Sequence, residues 1–99
     1  MAMKITEYDT AEFLKTPQDI ADYLEAVFED GEPALISQAL GIVARAKGMT
    51  SVAKQAGVTR EALYKSLSDR GDPTLSTFMG VLKALNIRMA IVPDKVRPA

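Results

Sequence analysis

The 99-residue chain has no cysteine and no histidine. Without cysteine there is no disulfide framework and no thiolate metal site. Without histidine the commonest general base and the commonest metal ligand are both missing. An enzyme made from this chain would have to work with carboxylates, lysine, tyrosine or hydroxyls. Ser51, Ser66 and Ser68 have no plausible activating base near them in sequence, histidine being absent. The six glycines are scattered singly, so no glycine-rich loop is available to cradle a phosphate. No apolar run approaches the ~18 residues of a membrane span, and no signal peptide is seen. The expectations are a cytoplasmic protein, no catalysis, no cofactor and no metal.

What is present is an ordinary globular composition, 47% hydrophobic and 25% charged, sized for one domain over residues 1–99. The formal charge of −1 hides an asymmetry. Residues 1–40 carry two lysines against nine Asp and Glu, a balance of −7. Residues 41–99 carry ten Lys and Arg against four Asp and Glu, a balance of +6. Two surfaces with different partners, or a chance segregation of solvated faces, would both give this pattern.

The most informative stretch is Met49–Ser68, which reads as two short helices about a tight turn. Ala53 is small enough to let another helix cross closely. Gly57 stands where a left-handed turn residue is needed, and Val58 is an apolar plug behind it. Thr59 can cap the second helix, and Leu63 and Leu67 face inward one turn apart. Arg60, Glu61, Tyr64, Lys65 and Ser68 are left outside. This is a helix-turn-helix pattern, although a plain αα-hairpin shares many of its marks. If it reads DNA, Arg60 and Lys65 can meet guanine edges or phosphates, and Glu61 can accept from cytosine. Tyr64 either contacts the nucleic acid or folds onto the core. Ser51, Lys54 and Gln55 on the preceding helix, with the Thr59 hydroxyl, would meet the phosphate backbone.

The rest of the chain supplies scaffold. Lys4–Thr6 can form a short strand, and Tyr8, Phe13 and Leu14 are expected to pack on the body. Residues 1–32 make an acidic N-terminal segment and helix. Thr16-Pro17 opens that helix, whose Ile20, Leu24, Val27 and Phe28 form an apolar stripe ending at Asp30-Gly31. Its Asp22, Glu25 and Glu29 share a face. No glycine-bearing ligand loop accompanies them, so they read as a solvated surface rather than a cation site. Pro33 opens a helix with Leu35, Ile36, Ala39, Leu40, Val43 and Ala44 on its buried side. Arg45 and Lys47 complement its C-terminal dipole. Thr74 caps a fifth helix carrying Leu75, Phe78, Met79, Leu82 and Leu85, with Gly80 inside it as a candidate close crossing. Residues 87–92 are rich in β-branched side chains and read as a strand. Its partner would be Lys4–Thr6 or the same strand of a second chain. The expected fold is therefore all-α: a five-helix, lambda-repressor-like helix-turn-helix domain with a short C-terminal strand.

These residues resemble a known family. Tyr8-Asp9 with Ala11-Glu12-Phe13-Leu14, Ile20-Ala21-Asp22-Tyr23-Leu24, and Ala39-Leu40-Gly41 with Ala44–Met49 carry the resemblance through the first half. Arg60–Ser68 (REALYKSLS) is its most specific part, and Pro73-Thr74-Leu75 with Leu82–Leu85 closes it. The chain is similar to the HigA-like antidote proteins (antitoxins) of bacterial toxin–antitoxin modules, within the Cro/C1-type (XRE) helix-turn-helix class. The resemblance implies a small cytoplasmic homodimer that binds its own double-stranded operator and neutralises a RelE/ParE-like toxin. Family members often carry Gly-Asn-Pro where this chain has Gly71-Asp72-Pro73, and an Asp there would repel a phosphate. A stand-alone or phage-type regulator without a toxin, or a structural partner protein, fits the same residues.

Overall fold

The computed structural model describes residues 13–68 and 70–94. Lys4–Thr6 and Tyr8 lie outside the described residues. Five helices are formed among those described: α1 (Pro17–Asp30), α2 (Pro33–Lys47), α3 (Met49–Ala56), α4 (Arg60–Ser66) and α5 (Leu75–Ala84). Four of them start where a local cap or proline starts them. Thr16 caps α1 by accepting from the Asp19 backbone N–H at 3.0 Å, and the Asp19 carboxylate accepts from the Thr16 N–H at 3.1 Å. Pro17 and Pro33 take first-turn positions where no N–H is needed. Thr59 and Thr74 cap α4 and α5 through their hydroxyls. Gly57 ends α3 at φ 76°, a left-handed conformation that costs glycine nothing.

The reciprocal cap gives α1 an acid sensitivity. Hydrogen bonds from Thr16, its backbone N–H first, hold the Asp19 carboxyl below its usual pKa. A group depressed in the folded state stabilises fully above its unfolded pKa of about 4 and loses that contribution as pH falls through the folded value. Asp19→Asn should therefore lower the melting temperature at pH 7 and shrink the difference from wild type near pH 2. Thermal melts across that range check it; a constant difference at all pH values would contradict the cap.

The core is one cluster drawn from all five helices. Leu40, Leu63, Leu67, Leu85, Val43, Val52 and Val81 are fully buried in it. Each such side chain contributes about 1.5–3 kcal/mol relative to exposure. Helix α3 packs most extensively on α5, α1 lies on α2, and α4 is held by α3. The α3–α5 crossing explains Gly80: a Cβ there would stand 2.8 Å from the Ala56 Cα, so only glycine permits this approach. The rings of Phe28 and Phe78 stack with centroids 6.1 Å apart, joining α1 to α5. Ser37, buried on α2, donates to the Gly71 carbonyl at 3.3 Å and fastens the loop before α5.

Several expectations are corrected. Residues 87–92 form no strand, and no strand is seen among the described residues. Ile87 turns in on the core, its N–H donating to the Leu82 carbonyl after Asn86 adopts φ 60°. Beyond it the chain has no described ladder partner, and Ile91 is 96% and Val92 75% exposed. β-branched composition alone does not satisfy a strand's N–H and C=O groups. Phe13 is exposed where packing was expected, whereas Leu14 beside it takes the inward place. Leu35 is half exposed because it lies at the edge of the α2 face, over a shallow groove shared with Tyr23 and Val27. Leu75 and Met79, four residues apart, lie on an outer stripe of α5, while Thr77, Val81, Leu82 and Ala84 are the buried ones. Helix α4 ends at Ser66 rather than Ser68; the Ser66 hydroxyl bonds back to the Ala62 carbonyl at 3.0 Å and Leu67 caps the end.

Candidate nucleic-acid interface

Helix α4 is fixed to the body by Leu63 and Leu67, which are 0% and 1% exposed. That anchoring decides which side it presents. Arg60, Glu61, Tyr64 and Lys65 all lie on its outer side, and Ser51, Lys54 and Gln55 are exposed on α3. Thr59 is also exposed, but its hydroxyl oxygen is engaged as the cap, accepting from the Ala62 N–H at 3.0 Å. Its hydroxyl hydrogen remains available to an acceptor outside.

The candidate residues fall into two groups. Arg60, Tyr64 and Ser51 share one open groove of about 440 Å³ between α3 and α4. Arg60 Nη2 donates to the Tyr64 hydroxyl at 3.4 Å, and its guanidinium carbon lies 5.5 Å from the ring centroid. The hydrogen bond to the phenol oxygen pushes the Arg60 guanidinium pKa further up, on a side chain that is cationic in any case. Gln55 donates to the Ser51 hydroxyl at 3.3 Å along α3. Lys54, Glu61 and Lys65 stand outside that groove, each exposed to solvent. Tyr64 does not fold into the core; it keeps 36% exposure.

One participant was read from sequence only as a complement to the helix dipole. Arg45, in the last turn of α2, places its guanidinium carbon 5.6 Å from the same Tyr64 ring. Two arginines from two helices thus approach one aromatic ring. Helical spacing links Arg60 to Tyr64, four residues apart. Nothing in local spacing links Arg45 to either, because the end of α2 comes beside Tyr64 only in the folded chain.

The described residues include no cluster of His, Cys, Asp or Glu able to hold a metal ion, and no helix long and apolar enough to cross a membrane. Among the described residues the fold is a small helical body that presents one outward helix with cationic and hydrogen-bonding side chains. Residues 4–93 match the family described as "Probable addiction module antidote protein", and the chain belongs to that family. An antidote protein implies a toxin as partner. The chain is also 41% identical, over 92% of its length and 94% of the relative's, to a protein of Haemophilus influenzae that carries the description "Uncharacterized protein". No solved structure matches the chain significantly.

Proposed function

We propose that this antidote protein is a sequence-specific DNA-binding antitoxin that neutralises a RelE/ParE-like toxin and represses its own operon as a dimer. The observation that carries the reading is the outward set of α4, rigidly seated on Leu63 and Leu67, in a chain of the antidote family. Arg60 and Glu61 in the first turn, with Tyr64 and Lys65 one turn on, read base edges in the major groove. Ser51, Lys54, Gln55 and the Thr59 hydroxyl fix register on the phosphates. A single recognition helix covers few base pairs, so a two-fold dimer on a palindrome supplies the affinity. Exposed Ile91 and Val92 support a dimer contact through the C-terminal segment.

The acidic half of the chain serves the other partner. Asp22, Glu25 and Glu29 stand exposed along α1, away from the α4 surface in sequence and in element. A basic toxin would be steered to them. Charge reversal at Asp22 and Glu25 is expected to slow association with the toxin and leave DNA binding unchanged. Equal loss of both activities in a folded variant would place the two functions on one surface.

The deciding experiment is a mobility-shift series on the duplex upstream of the protein's own reading frame, with random duplex as control. It is paired with co-expression of any small basic protein encoded beside it. Preference for the upstream duplex and rescue from that neighbour's toxicity support the proposal. Preference without a toxic neighbour indicates the stand-alone regulator instead. Equal, weak binding to both duplexes removes the DNA-reading role.

A further inference from the structure

A different face of the molecule carries an open groove of about 520 Å³ between α1 and the chain that follows α5. Asp22, Glu25 and Glu29 line it from α1, and Ile87, Arg88 and Met89 line it from the other side. Phe28 and Leu82 also line it. The stretch of α1 involved, Gln18 to Glu29, is about 16 Å long at 1.5 Å per residue. Leu82 is buried, and Phe28 and Ile87 pack on the core, so together they form an apolar floor. Met89 adds to that floor and is 48% exposed. The three carboxylates are exposed and form an acidic rim, against a single lining cation, Arg88. Gln18 donates to one Asp22 oxygen at 2.8 Å, which leaves the negative charge uncancelled.

Floor and rim together select the occupant. A nucleic acid would bring phosphates against three like charges. A second copy docked groove to groove would set the acidic rim against its own image. A helix with an apolar stripe flanked by Lys or Arg gains twice, because its stripe covers the floor while its cations meet the rim. Positions 22, 25 and 29 follow one another at three and four residues, so they form a ridge along α1 beside which a second helix can lie. We infer, on the antitoxin reading above, that this groove seats a basic amphipathic helix of the toxin. Met89 and Phe28 hold that helix, and Asp22, Glu25 and Glu29 steer it in. The toxin contact then spans α1 and the segment after α5, and does not rest on charge alone. Ile91 does not line the groove and stays outside the contact.

The test titrates the full chain with two partners. One is the small basic protein encoded beside it. The other is a synthetic peptide of about 18 leucines and lysines at helical period, long enough to form a helix and span the groove. Met89→Ser should weaken both about threefold to tenfold, mainly through faster dissociation, as half-burial of one apolar side chain is lost. Glu25→Gln with Glu29→Gln should slow association and flatten its salt dependence. Met79→Ser is the matched control: Met79 is 49% exposed on α5, outside the groove, and its loss should change nothing. Circular dichroism melts unchanged from wild type show that these surface variants are folded. Equal losses for the Met79 and Met89 variants would mean general apolar adhesion and overturn the assignment. So would equal binding of a peptide with leucine and lysine in strict alternation. If sedimentation shows Met89→Ser turning a dimer into a monomer, the groove joins two copies of this chain and the assignment falls. If the basic neighbour binds wild type and Met89→Ser alike, the groove assignment falls and the antitoxin reading stands. If the neighbour does not bind wild type, the antitoxin reading falls and the assignment with it.

Discussion

Gly41→Ala is expected to lower the melting temperature by roughly 8–16 °C, although alanine is the better helix former. Two effects oppose each other at this site. Alanine in a helix interior is favoured over glycine by about 1 kcal/mol. A Cβ at position 41, however, would stand 2.5 Å from the Leu67 carbonyl oxygen and 3.5 Å from its carbon. Both are backbone atoms and cannot rotate aside. Forcing extra volume into a packed contact costs typically 1–3 kcal/mol, and a backbone obstacle puts this case near the upper end. The net loss is about 2 kcal/mol, which in a domain of this size is worth ~4–8 °C per kcal/mol. Gly57→Ala offers a useful contrast. No atom lies within 4 Å of its added Cβ, but its φ of 76° penalises any side chain by about 1–2 kcal/mol. Thermal unfolding of both variants tests the ranking. An unchanged or raised melting temperature for Gly41→Ala would mean that α2 and the end of α4 are not in contact as described.

That contact also shows which parts of the structure were legible in the sequence. Helix starts were, because their causes are local. Thr16 with Pro17, Pro33, Thr59 and Thr74 each act within one turn of themselves, and the observed helices begin beside them. The turn at Gly57 was legible for the same reason. The strand at 87–92 was not, because a ladder needs a partner that no local pattern can guarantee. Apolar side chains were over-assigned to the interior: Leu35, Leu75 and Met79 are exposed, and an outer stripe has the same helical period as an inner one. Within the candidate interface, Arg60 and Tyr64 were legible as an i, i+4 pair. Arg45 was not, because its place beside Tyr64 depends on how α2 meets α4.

If the proposed interface is right, Arg60 and Lys54 should fail in different ways. Both are exposed cations, so net charge alone predicts the same loss for either. Their placement predicts otherwise. Arg60 sits in the first turn of α4, directed by the Tyr64 hydroxyl, where a fork of donors can engage a guanine edge. Lys54 sits on α3, on a helix that would cross the backbone, where a point charge neutralises a phosphate and reads nothing. Arg60→Ala is therefore expected to cost roughly 1–3 kcal/mol on the upstream duplex and much less on random duplex, relaxing preference at one or two base positions. Lys54→Ala should weaken both duplexes alike and reduce the salt slope by about one unit. Titrations of each variant against a panel of single-base-changed duplexes, at several salt concentrations, separate the two. A Lys54 variant that changes base preference, or an Arg60 variant that changes only the slope, would reverse the roles. Wild type and Arg60→Ala binding every duplex equally weakly would mean that α4 serves a protein partner instead of DNA.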